Sequence, residues 1–326
     1  MYLVPIEVWN DIFPLVCDQR GITAAAISRV SRYFYNAIMP YRLTSLVIYG
    51  ESQIVAFHKA MEVMPSDVPR AKHLFISLIP DSSLEDAHKV CHSVIDRGIR
   101  PPGEAETQSQ NSNLSVFGFH PQEYVTIQEC FAGGIISQHK ETLETLTYLT
   151  TVSYIKFEMF GCLPRLRDLT IICLRYKSTF YEVYNENPVY RKTQFPLLER
   201  LHLSYFGTEP LFCHDEFRRV APGLTHLRIS GRKCYPQYEK LPLRTKVFVQ
   251  PILLSSQEQR TQLSHMRGIL SVPSYQKRTV LLEPGHREDG RYGFFDALSD
   301  WVDVSIGRDT FWGRDNMVTI DNLAAR

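Results

Sequence analysis

Seven cysteines without a single C-x-x-C pair, no apolar run of about 18 residues, and no surplus of either charge mark this 326-residue chain. The cysteines, at positions 17, 91, 130, 162, 173, 213 and 234, are odd in number and scattered. That spacing argues against a disulfide or zinc framework and fits buried, reduced thiols. Thirty-six basic and 35 acidic residues leave a formal charge of +1, so no bulk field steers the protein toward nucleic acid or an anionic membrane. Without a long apolar run, no membrane-spanning helix is expected. The opening residues carry Glu7 and Asp11 where a secretion signal needs a basic start and an uncharged apolar core. An intracellular place, cytoplasmic or nuclear, is therefore expected, and the glycosylation match Asn113-Leu114-Ser115 then has no meaning.

Signatures of catalysis are equally scarce. No G-x-S-x-G supplies a hydrolase elbow. The stretch GGIISQHKET, 133 to 142, has the flavour of a phosphate loop, but His139 stands where glycine must precede Lys140, and Glu141 stands where Ser or Thr must follow. A carboxylate there repels phosphate. Cys213-His214-Asp215-Glu216 collects four metal-ligand types, yet adjacent side chains diverge on helix or strand and cannot close on one ion. The same divergence removes Cys91-His92 as a thiol-imidazole pair. EPGHREDG, 283 to 290, reads as an exposed charged turn. No cofactor and no metal are implied, and the chain reads as a non-enzyme.

What is present begins at once, with VPIEVWNDIF over residues 4 to 13. Pro5 suits the first turn of a helix, Glu7 lies near the positive end of its dipole, and Pro14 stops it after about two turns. Val8, Ile12 and Val16 lie one turn apart, with Trp9 and Phe13 widening the apolar face. A helix so short does not persist alone. A second helix is expected in TAAAISRVSRYFYNAIM, where Ile27, Val30, Phe34 and Ile38 recur at helical spacing behind Thr23 as N-cap.

This arrangement resembles the F-box, whose pattern is Leu-Pro-x-Glu, a short helix ending in an Ile/Leu pair, then a helix with Val-Ser-Arg and an aromatic. The corresponding residues are Val4-Pro5-Ile6-Glu7, Ile12-Phe13, and Val30-Ser31-Arg32 with Phe34. Val4 stands where leucine is usual, and Ala24 to Ala26 replace larger residues. The resemblance implies docking on the Skp-family adaptor of a cullin ubiquitin ligase. The surface would be formed by Val4, Pro5, Glu7, Val8, Ile12, Phe13, Val30, Ser31 and Phe34.

The remaining chain repeats itself. PRLRDL with Thr170-Ile171, PLLERL with His202-Leu203 and PGLTHL with Arg228-Ile229 share the frame Pro-x-Leu-x-x-Leu-x-Leu/Ile, starting at Pro164, Pro196 and Pro222. Pro69 opens a fourth copy with Ala71 in the first leucine slot, and residues 43 to 48 and 143 to 148 keep the frame without proline. The marker leucines Leu46, Leu74, Leu146, Leu169, Leu201 and Leu227 are separated by 28, 72, 23, 32 and 26 residues. A further copy at Leu114-Ser115-Val116 would divide the longest gap. Such spacing resembles an irregular leucine-rich repeat, in which short strands turn their leucines inward and connecting segments cover the other side. Covering helices are expected at Ile54, Phe57, Met61 and Met64, and at Leu84, Ala87, Cys91 and Val94 behind a Ser82/Glu85 capping box.

Residues 98 to 113, GIRPPGEAETQSQNSN, have almost no apolar content and read as a mobile insertion, expected to be cut first in limited proteolysis. After Gly231 the pattern changes. TKVFVQPILL and RTVLLEP read as strands, SSQEQRTQLSHMRGIL as a helix with a Ser255/Glu258 box, and FFDALSDWVDVSI as an amphipathic helix. The expected α/β organisation is therefore an F-box-like helical domain over 1 to 40, a leucine-rich-repeat-like solenoid over 41 to 231, and a βαβα C-terminal cap over 232 to 326.

With the leucines inward, the alternate residues point to the opposite, concave face. These are His73 and Phe75, Asp168 and Thr170, Arg200, His202 and Ser204, and His226, Arg228 and Ser230. His73, Phe75, Arg200, His202, His226 and Arg228 are the expected contacts to a protein target. Arg200 and Arg228, brought together by stacking, would suit an acidic or phosphorylated segment. The implied partners are the adaptor, through it a cullin, and an unidentified protein substrate. A repeat scaffold without a ligase role, and an enzyme with a site assembled from distant residues, remain the alternatives.

Overall fold

The protein is an α/β structure built on one eight-stranded, all-parallel sheet whose strand order follows the chain from β1 to β8. The computed structural model describes residues 8–9, 12–13, 22–64, 70–78, 131–150, 160–173, 195–205, 214–231, 241–251, 264, 266–282 and 294–305. The strands are β1 Ser45–Tyr49, β2 His73–Ser77, β3 Thr145–Thr150, β4 Asp168–Cys173, β5 Arg200–Tyr205, β6 His226–Gly231, β7 Lys246–Pro251 and β8 Thr279–Leu281. Helices among the described residues include α1 Ile22–Ser28, α2 Arg32–Ile38, α3 Glu51–Glu62, α4 Gly133–His139, α5 His214–Val220, α6 Pro273–Gln276 and α7 Phe294–Ser305.

The repeat frame and the sheet register coincide. Leu46, Leu74, Leu146, Leu169, Leu201 and Leu227 are successive cross-strand partners, and Val247 extends the row. Apart from half-buried Leu46, each is fully or almost fully buried in one core with Ile76, Tyr148, Ile171, Leu203 and Ile229. The prolines act in the turn before each strand. Leu166 N–H donates to the Leu163 carbonyl, Leu198 to Phe195 and Leu224 to Ala221, which puts Pro164, Pro196 and Pro222 second in a four-residue turn. Proline fits there because its fixed φ is already that of the turn and its missing N–H is not needed. The following leucine, Leu166, Leu198 or Leu224, is buried. Copies with a shared local solution thus enter the sheet at the same height.

Helices cover this leucine face. Ile54 and Met61 of α3, Ile135 and Ile136 of α4, Phe217 and Val220 of α5, and Met266 join the same core. Gly50, at φ 76°, links β1 to α3 in a conformation that side-chain-bearing residues rarely adopt. A second, smaller apolar cluster belongs to the N-terminal helices: Phe13, Ala24, Ala37 and Ile38, with Trp9, Ile27, Phe34 and Tyr41 against it. Ala24 of α1 is fully buried in this cluster, where its small side chain lets short helices approach closely.

Two expectations for the N-terminal segment require correction. Residues 23 to 39 do not form one helix. Ser31 is extended (φ −163°, ψ 164°) and accepts the Phe34 N–H at 3.2 Å, so it caps α2 and divides the segment. Thr23 lies inside α1, and Val30 falls at the break. The copy expected at Leu114-Ser115-Val116 lies outside the described residues; among those described, β2 pairs with β3, Leu74 opposite Leu146. In the C-terminal segment, strands occur in TKVFVQPILL and RTVLLEP as β7 and β8, and α7 falls in FFDALSDWVDVSI. β7 and β8 lengthen the sheet, whereas α7 crosses back onto β2 and β3. The expected helix at residues 84–94, the insertion 98–113, the Ser82/Glu85 and Ser255/Glu258 boxes, Cys91-His92, Cys213 and the turn 283–290 lie outside the described residues.

Candidate functional site

Two surfaces gather the residues that the sequence singles out. The first is the N-terminal hairpin. Trp9 stacks on Phe13 (centroids 5.3 Å) and meets Phe34 edge-on (4.9 Å), and Phe13 also lies 6.1 Å from Tyr41. Phe13, only 1% exposed, is therefore the centre of the hairpin rather than part of its outer face, with Phe34 half-buried beside it. Ser31 serves the backbone as a cap. Val8 (44% exposed), Ile12 (37%) and Val30 (69%) are turned outward. Val4, Pro5 and Glu7 lie outside the described residues.

The second surface is the sheet face opposite the leucines. The alternation is as expected, but the face is not open. Phe75 is fully buried, 6.0 Å edge-on from Trp301 of α7. Arg200 is bound bidentately to Asp168, its cross-strand neighbour, with Nη2 donating to Oδ2 at 2.9 Å. Arg228 donates through Nη2 to Gln250 Oε1 at 2.6 Å and lies 3.6 Å from Asp300 of α7. The two arginines do not face each other: Arg200 is registered with His226, and Arg228 with His202. The physical reason is that the even residues of β4 to β7 include their own carboxylate and amide partners, so both guanidinium groups are held within the fold.

A buried polar chain runs from β5 to β7. Ser230 Oγ donates to Gln250 Oε1 (2.8 Å), which also takes the Arg228 bond, so Ser230 accepts from His202 Nε2–H at 2.8 Å. Burial, and then the Arg228 charge, push the His202 pKa well below the ordinary range, which keeps the ring neutral. His226 is arranged similarly: Thr225 donates to the Glu199 carbonyl (3.0 Å), hence accepts from His226 Nδ1–H (2.8 Å), while the imidazole stacks on Phe248 at 5.7 Å. His73, 3.1 Å from Thr145 Oγ1, has its pKa lowered to about 4, mainly by burial.

Between α7 and β3 to β5 a cavity of about 20 Å³ remains, lined by Thr145, Thr147, Asp168, Arg200, Asp300 and Trp301 among others. It has room for about one water molecule. Asp300, Trp301 and Gln250 were not singled out from the sequence. The apolar spacing of Ala297 and Trp301 marks α7 as amphipathic, but no local pattern states which surface it lies on. The GGIISQHKET stretch is helical through His139, whose Nδ1 accepts the Ala71 N–H at 2.9 Å; it is a packing element and not a phosphate loop. Among the described residues no three His, Cys, Asp or Glu side chains converge on a metal position, and no helix is long and apolar enough to cross a membrane. Comparison with protein-family models, curated proteins and solved structures finds no match to this chain.

Proposed function

We propose that the chain is the substrate-recognition subunit of an SCF-type cullin ubiquitin ligase, binding a Skp-family adaptor through its N-terminal hairpin and a protein target through its sheet. The observation that carries this reading is the N-terminal helical unit, whose own aromatic cluster of Trp9, Phe13, Phe34 and Tyr41 leaves Val8, Ile12 and Val30 exposed. Apolar side chains grouped on so small a unit are what a helical partner requires. The in-register leucine row supports reading residues 41 to 231 as an irregular leucine-rich-repeat solenoid joined to an F-box over residues 1 to 40. In this role the chain performs no chemistry. It raises the effective concentration of a target beside a ubiquitin-loaded conjugating enzyme.

The test is capture of a purified Skp-family adaptor. Ile12→Asp combined with Val30→Asp should weaken capture at least tenfold while leaving the sheet's unfolding temperature unchanged, since both side chains are exposed. Capture by the wild-type chain that survives the double substitution removes the ligase reading and leaves a repeat-based interaction scaffold.

A further inference from the structure

Arg200 and Arg228 are engaged within the fold, but the strand entrances carry cations that are not. The turns leading into β4, β5, β6 and β7 stand side by side, because Asp168, Arg200, His226 and Lys246 are successive cross-strand partners. The residue after each turn proline, three places before these partners, is Arg165, Leu197, Gly223 or Leu243, and the four form one row. Their neighbours Leu166, Leu198 and Leu224 are buried, whereas the row faces outward: Leu197 is 50% and Leu243 82% exposed.

Bonds on both sides hold Leu243 in that position. Thr245 N–H donates to the Pro242 carbonyl (3.0 Å), Arg218 Nε–H to the Leu241 carbonyl (3.0 Å), and Arg278 to the carbonyls of Thr245 (3.0 Å) and Pro242 (2.9 Å). The buried Thr245 hydroxyl adds a bond to the Leu224 carbonyl at 2.8 Å. Gly223 keeps the space between the two leucines low, since a Cβ there would come within 3.3 Å of the Pro196 carbonyl oxygen. Two leucines thus stand about 10 Å apart, two strand spacings, across a notch. Single exposed leucines are ordinary, but a pair fixed in register on fastened turns is already ordered for binding.

The charge at this edge is one-sided. Among the described residues the entrances to β4 through β8 expose Arg165, Arg167, Arg244, Lys246 and Lys277 against one exposed carboxylate, Glu199. None of the five cations forms an ion pair among the described residues. The chain as a whole is balanced at +1, so the excess is local.

We infer that the entrance ends of β4 to β8 form a docking edge for an acidic segment of a partner protein, which sets two apolar side chains against Leu197 and Leu243 and its carboxylates against the flanking arginines and lysines. The inference rests on the proposed role of the chain as a receptor and shifts the target contact from the covered polar face to the sheet edge. Apolar side chains about 10 Å apart correspond to positions i and i+7 on one side of a helix. The leucines favour a peptide over single-stranded nucleic acid, whose bases stack on aromatic rings, because no aromatic ring is exposed at this edge among the described residues. Carboxylates complement the cations and add a salt-sensitive attraction.

The experiment titrates the full chain with a fluorescent, glutamate-rich helical peptide carrying leucines at i and i+7. Leu197→Ser combined with Leu243→Ser should weaken binding at least tenfold and leave the unfolding temperature unchanged, since both side chains are exposed. Arg244→Glu combined with Lys246→Glu should also weaken it at least tenfold at low salt, and by less at high salt. The same peptide with alanine for both leucines should bind at least tenfold less tightly. No binding by the wild-type chain, equal affinity of the wild-type and either substituted chain, or capture of a single-stranded oligonucleotide or of anionic vesicles as tight as that of the peptide overturns the inference. Adaptor capture is scored separately, so its failure strikes the ligase reading alone.

Discussion

Individual buried side chains set how this protein responds to pH. His139 holds the Ala71 N–H through Nδ1, and its pKa is lowered to about 4, first by burial and then by the Arg70 charge. His73 is lowered to about 4 as well, by burial, with Glu144 opposing and Lys72 adding to the shift. In the unfolded chain both rings take up protons near pH 6.5, whereas in the fold they resist until near pH 4. The unfolded state therefore binds more protons between these values, and stability rises with pH there. It is complete above pH 6.5 and falls as the pH drops toward 4, at about 1.4 kcal/mol for each unit of pKa difference per group. Denaturant titrations at pH 7.5 and 4.5 should show this loss, and His139→Gln, which keeps an acceptor but cannot titrate, should show a smaller one. A pH-independent stability would contradict the burial of both rings.

At the scale of elements, two devices predict separable costs. Ser31 caps α2, so Ser31→Ala should cost about 1 kcal/mol and reduce the helicity of the hairpin without touching the sheet. Circular dichroism with thermal melting measures both effects. Asp168 and Arg200 bridge β4 and β5 by two parallel bonds across the ladder. A double-mutant cycle with Asp168→Ala and Arg200→Ala should give a positive coupling of roughly 0.5–2 kcal/mol, reduced for partial solvent access. Zero coupling would mean that the pair is solvated and not a structural tie.

For the whole molecule, the separation of the two apolar clusters has a thermal consequence. Leu201→Ala empties a fully buried position of the central row and should lower the main transition by about 2–5 kcal/mol. Phe13→Ala removes the centre of the hairpin cluster and should unfold the hairpin at a lower temperature while the main transition stays in place. Differential calorimetry distinguishes the two. A single transition shifted equally by both substitutions would show that hairpin and sheet unfold as one unit.

The fold was legible where the pattern was local and repeated. Each turn proline and each marker leucine is read within eight residues, and the period of two assigns every strand residue to a face; the leucine row follows directly. The outward side of the hairpin was partly legible, because Val8 and Ile12 share a helical spacing. The capping of α2 by Ser31 was missed, because an unbroken apolar period concealed a residue whose hydroxyl competes for the backbone. What local pattern cannot encode is which distant segments meet. That Leu74 pairs with Leu146 with no strand between them, that Arg228 is bound by Gln250 and approached by Asp300, and that α7 lies against Phe75 instead of beyond β8 all depend on contacts over long stretches of chain. An amphipathic helix specifies that one side must be covered, but many apolar surfaces meet that need equally well. Only the assembled sheet, with Trp301 set against Phe75 and Asp300 directed to Arg228, decides among them.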